Sequence, residues 1–161
     1  MQKFLQNLRF KILVAFAFIL LFGTVALTVF FCHIYYDYQQ YKKNLIYTMS
    51  GSTSVVTTVD EAGTEVTLTP LNRKALYAFL SNSSGKRTLT SDAELTGRYI
   101  EFTAKSAVTT TTGRISETDA GCVKIEAESG DKDWSYYIEN NIPYDNYAKV
   151  ASPDGWTTPN E

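Results

Sequence analysis

Hydrophobic residues are concentrated in one uninterrupted run near the start of the chain. Residues 12–32 contain no charged side chain and only two hydroxyl groups, those of Thr24 and Thr28, and the uncharged stretch continues to residue 36. A helix rises about 1.5 Å per residue, so such a run spans the roughly 30 Å hydrocarbon core of a bilayer. The pattern predicts a transmembrane helix over residues 12–36, preceded by a short cytoplasmic segment over residues 1–11.

The residues on either side of this run are typical of a membrane anchor. Basic side chains and no acidic one lie in residues 1–11, whereas Asp37 on the far side offsets part of the charge of Lys42 and Lys43. This difference favours a cytoplasmic N-terminus and places the rest of the chain outside the cell membrane. Amphipathic rings favour the headgroup zone, so we expect four tyrosines at the membrane interface: Tyr35, Tyr36, Tyr38 and Tyr41.

Two other interpretations of the run are open. A cleaved signal peptide would use the small residues Thr24 and Ala26, but the apolar run continues past that point, which favours a retained anchor. A buried core helix would usually be shorter and would show a polar face. We therefore expect a single-pass protein that stays in the membrane.

A helical pattern continues beyond the membrane segment. In residues 37–49 large apolar side chains recur near helical spacing, at Tyr38, Tyr41, Leu45 and Met49. The Ser-, Thr- and Gly-rich run over residues 50–54 then breaks the helix. Residues 37–54 are thus predicted to form a juxtamembrane stalk and linker. The membrane helix can continue into this stalk, past the lipid headgroups.

Strand patterns dominate residues 55–142, a length sufficient for one modest core. Two runs rich in Val and Thr, residues 55–59 and 64–69, flank a turn over residues 60–63 and predict a hairpin. Thr69 and Pro70 then begin a helix of about 12 residues with one apolar face.

The clearest hairpin lies near the end of this region. Apolar and polar side chains alternate on both sides of a turn over residues 129–132, with the apolar positions at Val123, Ile125, Ala127, Trp134, Tyr136 and Ile138. Residues 98–104 alternate as well, and residues 109–112 are expected to extend a strand before a loop over residues 113–121. Four to six strands and one helix predict an α+β fold, a small antiparallel sheet with one packed helix. The proline-containing tail, residues 143–161, is expected to be irregular.

Composition restricts the chemistry of the predicted domain. Its residues include no histidine, because His33 lies at the membrane edge, so it lacks a group that Ser-His-Asp and Cys-His catalysis require. One thiol, Cys122, and scattered carboxylates make a poor zinc site, and no glycine-rich phosphate loop is present. We expect no enzymatic activity, no cofactor and no metal. Cys122 is expected to be a free thiol in a strand, with pairing between chains as the alternative.

Acidic residues crowd the turn of the last hairpin, at Glu128, Asp131 and Asp133. Carboxylate oxygens can bind calcium, and paired carboxylates can act as the acid and base of a glycosidase. The spacing lacks the glycine and the distal glutamate of a helix–loop–helix calcium site. A solvated turn is therefore the favoured interpretation.

Aromatic residues and charge suggest where a partner would bind. Tyr137, Tyr144 and Trp156 are candidates for an exposed platform, whereas Trp134 and Tyr136 are expected in the core. Residues 38–114 carry 9 basic and 6 acidic residues, a net charge of +3, while residues 115–161 carry 3 basic and 10 acidic residues, a net charge of −7. The acidic C-terminal half disfavours nucleic acid as a partner.

Together these features favour a membrane-anchored extracytoplasmic binding or assembly module without catalytic activity. Its expected partners are the lipid bilayer and either another envelope protein or copies of itself. Two alternatives stay open. The plan of an apolar N-terminal helix followed by a small β-rich head resembles that of pilin-like structural subunits, which implies assembly into filaments. The other alternative is a carboxylate-dependent cell-surface hydrolase.

Overall fold

The structure, a computed structural model, describes residues 2–81, 86–88, 92–139 and 142–153. Within them the chain folds as an α+β protein with the helices and strands α1 (Gln2–Met49), β1 (Val55–Asp60), β2 (Glu65–Thr67), α2 (Pro70–Ser81), β3 (Lys86–Thr88), β4 (Leu95–Lys105), β5 (Thr110–Thr118), β6 (Val123–Ser129), β7 (Lys132–Glu139) and α3 (Tyr144–Ala151). The chain divides into two compact units, Met1–Gln40 and Tyr41–Glu161. The second unit is called the head below.

The described residues of the first unit all belong to helix α1, and they include the apolar run. Among the described residues one helix is long and apolar enough to cross a membrane, and none of the residues in its apolar window is buried. The hydroxyl groups of Thr24 and Thr28 donate to the carbonyl oxygens of Leu21 and Thr24, each at 2.8 Å. This back-bonding satisfies both hydroxyl groups within the helix, so neither opposes insertion into lipid. The candidate membrane-spanning helix predicted from the sequence is therefore confirmed.

The head is built on one antiparallel sheet with the strand order β2-β1-β4-β5-β6-β7-β3. The predicted β1–β2 hairpin is present, and its turn is fixed by Asp60, whose Oδ1 accepts hydrogen bonds from the amides of Ala62 and Thr64 at 2.9 and 2.8 Å. The predicted β6–β7 hairpin is present too, with Ser129 opposite Lys132. Helix α2 begins at Pro70, and the Thr69 hydroxyl accepts a hydrogen bond from the Asn72 amide as an N-terminal cap.

One face of the sheet is buried and forms the core of the head. Apolar side chains that alternate onto this face belong to its central strands, at Ile100, Phe102, Ile115, Ile125, Trp134, Tyr136 and Ile138. The last turns of α1 pack against them: the Tyr41 ring lies 5.8 Å from the Trp134 ring and 5.5 Å from the Tyr136 ring. Helices α2 and α3 meet through Phe79 and Tyr147, whose rings are 5.3 Å apart.

The head begins earlier than the sequence predicts. Residues 37–54 were expected to be a stalk and linker, yet Tyr41, Leu45 and Met49 are buried in the core of the head. Their helical spacing puts all three on one side of α1, and the Tyr41 hydroxyl donates to the carbonyl oxygen of Leu80 at 3.4 Å. Helix α1 does end at Met49, before the Ser-, Thr- and Gly-rich run.

Two further segments differ from the expectations. Strand β5 continues through Gly113 to Thr118 where a loop was expected, because it pairs with β4 on one side and β6 on the other. The tail expected to be irregular contains helix α3, which follows Pro143 and buries Tyr144, Tyr147, Val150 and Ala151. Pro143 and Pro153 flank the helix rather than interrupt it. The buried side chains hold in place a short helix that would not be stable alone.

Candidate functional site

The face of the sheet opposite the core carries an open groove of about 550 Å³. The strand register places its outward side chains in two rows that cross β4, β5, β6 and β7. The first row is Glu101, Arg114, Glu126 and Ser135, and the second is Thr103, Thr112, Glu128 and Asp133. Between the rows lies a floor of backbone, contributed by residues whose side chains alternate toward the core, such as Phe102 and Ala127.

Gly113 lies in the floor of this groove, between Phe102 on β4 and Ala127 on β6. A Cβ atom at this position would lie 2.5 Å from Phe102 Cζ and 2.6 Å from the carbonyl oxygen of Glu126. The Phe102 ring therefore occupies the space of the missing side chain on the core side of the sheet. Glycine permits this close packing without a break in β5, whereas glycine normally weakens a strand.

One row of the groove is largely neutralised by ion pairs. Arg114 donates to Glu101 Oε1 through Nη2 at 2.5 Å and Nε at 3.2 Å, and its guanidinium lies 4.5 Å from the centroid of the Tyr99 ring. The hydrogen bonds that Arg114 donates to Glu101 raise the pKa of Arg114, so the guanidinium stays charged. On the next strand the Lys124 ammonium contacts Glu126 Oε1 at 2.5 Å.

The other row ends in two neighbouring carboxylates. Glu128 and Asp133 are directly opposite each other on β6 and β7, and both are exposed. Glu128 accepts a hydrogen bond from the Thr112 hydroxyl at 2.9 Å. Within the described part of the chain, no basic side chain forms an ion pair with either carboxylate. This end of the groove is therefore negatively charged.

A second charged cluster lies outside the groove and holds helix α3 to the sheet. Arg98 on β4 contacts Glu117 Oε1 and Asp145 Oδ1, each at 3.1 Å, and its guanidinium lies 4.8 Å from the centroid of the Tyr144 ring. Asp145 raises the pKa of Arg98 through this hydrogen bond, and burial raises the pKa of the Tyr144 hydroxyl. Because Arg98 links β4, β5 and the first turn of α3, the cluster has an evident structural role.

Of the three aromatic residues predicted to bind a partner, the structure describes two. Tyr137 is half-buried on β7, opposite Lys124 and in the row next to the groove. Tyr144 is buried beneath Arg98. Trp156 lies outside the described residues. Trp134 is in the core, as its alternation predicts.

The four tyrosines assigned to the membrane interface also fall into two groups. Tyr35 and Tyr36 are exposed on α1, as an interfacial role requires. Tyr38 and Tyr41 are buried. Tyr41 in particular belongs to the aromatic core of the head, so its ring is not presented to lipid.

The two cysteines have different surroundings. Cys122 is a buried free thiol whose Sγ lies 3.1 Å from the Thr118 hydroxyl, just before β6. Cys32 is a free thiol on the exposed surface of α1. Across the part of the chain that the structure describes, no group of three or more His, Cys, Asp or Glu side chains is arranged to hold a metal ion.

Sequence reasoning missed the groove because its rows join four strands. The alternation in residues 123–139 does predict that Glu126, Glu128, Asp133 and Ser135 share a face. It does not predict that Glu101, Thr103, Thr112 and Arg114 continue the same rows, because that depends on the β4–β5 and β5–β6 registers. Comparison of the chain with protein-family models, with curated proteins and with solved structures gives no match.

Proposed function

We propose that this protein is a membrane-anchored binding module without catalytic activity, in which the open face of the sheet recognises a partner protein. The observation that carries the proposal is the asymmetry of the sheet. One face is filled by the core, while the other leaves a groove of charged and hydroxyl side chains across four strands. The polar side chains of that face are therefore available to a partner.

The anchor determines where such a module acts. Helix α1 is long and apolar enough to span a membrane. The basic residues before the apolar run favour a cytoplasmic N-terminus, so the head lies on the extracytoplasmic side of the cell membrane. The partner is accordingly another envelope protein or a further copy of this chain. The acidic C-terminal half of the sequence opposes nucleic acid as a ligand.

Site-specific photo-cross-linking in intact cells tests this proposal. A photoreactive amino acid at Ser135 lies on the groove wall, and the same amino acid at the exposed Glu65 on β2 lies at the far edge of the sheet. We expect a discrete protein adduct, identified by mass spectrometry, from position 135 and none from position 65. An adduct from neither position, or equal adducts from both, would contradict recognition through the groove.

A second candidate function is a carboxylate-dependent hydrolase, favoured by the four carboxylates of the groove: Glu101, Glu126, Glu128 and Asp133. Glycoside hydrolysis needs one carboxylic acid and one carboxylate at a fixed separation, and a hydrophobic environment usually keeps the acid protonated. Glu128 and Asp133 are exposed and the other two are half-buried. Solvation of this kind supports binding better than acid catalysis.

A further inference from the structure

The open face of the sheet has the charge and the dimensions to hold one extended stretch of polypeptide. Neighbouring strands lie about 4.8 Å apart, so the four strands of the groove span roughly 14 Å. An extended chain rises about 3.3 Å per residue, so four to five residues would fill that length. Hydroxyl groups of Thr103, Thr112 and Ser135 line the walls and are suited to hydrogen-bond a peptide backbone.

Charge complementarity identifies the kind of segment. In the row that ends at Ser135, Arg114 pairs with Glu101 and the neighbouring Lys124 pairs with Glu126. In the other row Glu128 and Asp133 lie directly opposite each other, and like charges in that position destabilise a sheet. A cationic side chain placed between them would relieve this repulsion and bind both carboxylates at once.

We propose that the groove docks an extended basic segment of a partner polypeptide, with a lysine or arginine side chain between Glu128 and Asp133. This inference rests on the proposed binding function. The segment must come from another protein, because the adjacent pairs of basic residues in the described chain already belong to helices or strands. Lys42-Lys43 and Arg73-Lys74 lie within helices α1 and α2, and Lys86-Arg87 is paired with β7 as strand β3.

Peptide binding to the full-length chain in neutral lipid nanodiscs tests the inference. The probe is a fluorescent pentapeptide of sequence Lys-Ser-Lys-Ser-Lys, and Glu-Ser-Glu-Ser-Glu is the matched acidic peptide. We expect saturable binding of the basic peptide only. The double variant Glu128→Gln/Asp133→Asn removes the two carboxylates that would form ion pairs with the peptide. It should weaken binding of the basic peptide about tenfold at low ionic strength.

A charge-matched variant separates docking from general attraction to an acidic protein. Glu65→Gln/Glu94→Gln removes the same charge from exposed sites outside the groove, and we expect less than a twofold change. Equal weakening by both double variants, or no binding of the basic peptide to the parent chain, would overturn the inference. Thermal melting of both variants in the same nanodiscs shows whether either has lost its fold, in which case the single variant Asp133→Asn is compared with Glu65→Gln.

The outcomes also distinguish this inference from the proposed function. If position 135 yields a protein adduct but the basic peptide does not bind, the module still recognises a partner and the basic-segment inference is wrong. If the adduct is a second copy of the chain, and sedimentation shows a dimer that Glu128→Gln/Asp133→Asn abolishes, the groove is a self-assembly surface and the inference is likewise overturned.

Discussion

Gly113 shows how a single residue determines the packing of the head. The Phe102 ring and the Glu126 carbonyl oxygen occupy the space in which any side chain at this position would begin. The backbone oxygen is held in the sheet by the pairing of β5 with β6, so only part of this crowding can relax. The same residue that weakens the strand pattern in the sequence is thus required for the packing of the core beneath the groove.

The substitution Gly113→Ala should therefore lower the free energy of unfolding by about 1–3 kcal/mol, the usual cost of overpacking a core. Chemical denaturation in detergent micelles, followed by tryptophan fluorescence, measures the change. Ser135→Ala is the control, because it alters an exposed side chain on the groove wall and is expected to stay within about 0.5 kcal/mol of the parent chain. Equal stability of the Gly113→Ala variant would show that β4 and β5 do not pack as described.

At the scale of elements, the last turns of α1 are part of the head. Tyr41, Leu45 and Met49 are fully or almost fully buried, and the Tyr41 ring contacts Trp134 and Tyr136 of β7. A shortened chain that begins at residue 51 would lack these side chains and would expose the surfaces of β7 and α2 that they cover. The helix that carries the apolar run at its start thus supplies a wall of the core at its end.

Adjacent positions of this helix provide a matched test. Leu45→Ala should lower the free energy of unfolding by about 2–5 kcal/mol, because Leu45 is fully buried and its removal leaves a cavity. Ile46→Ala should lower the free energy of unfolding by less than about 1 kcal/mol, because Ile46 is 44% exposed. Denaturation of both variants in the same micelles gives the comparison. Similar values for the two would place the stalk outside the core, as the sequence alone suggested.

Several elements could be predicted from the sequence because their signals are local. The Asp60 turn, the cap of α2 at Thr69 and the alternation of β6 and β7 each depend on residues that are close in the chain. The burial of Tyr41 could not be predicted, because helical spacing of aromatic rings suits a membrane surface as well as a core. Helix α3 could not be predicted either, because so short a helix depends on the tertiary packing of its buried side chains. The groove required the register of four strands, which no local pattern contains.

The whole molecule combines an apolar helix, long enough to cross a membrane, with a head that has a core of its own. Helix α1 exposes large apolar side chains over the run before Cys32, whereas the head buries most of its large apolar residues and exposes charges. An uncovered apolar surface of this extent is costly in water, and it is removed from water when the helix enters lipid. The charged surface of the head, in contrast, is suited to water.

Membrane association should accordingly depend on the apolar run and be independent of the exposed residues of the head. The parent chain is expected to remain in the membrane pellet after alkaline carbonate extraction. Phe18→Arg/Leu21→Arg should shift part of it to the supernatant, because each arginine near the centre of a membrane helix costs about 3 kcal/mol. Ile46→Arg/Tyr47→Arg adds the same charge to exposed positions later in α1 and should leave the chain in the pellet. Recovery of the parent chain in the aqueous fraction would contradict a membrane-spanning α1. Equal release of both variants would show that added charge weakens membrane attachment wherever it lies in the helix.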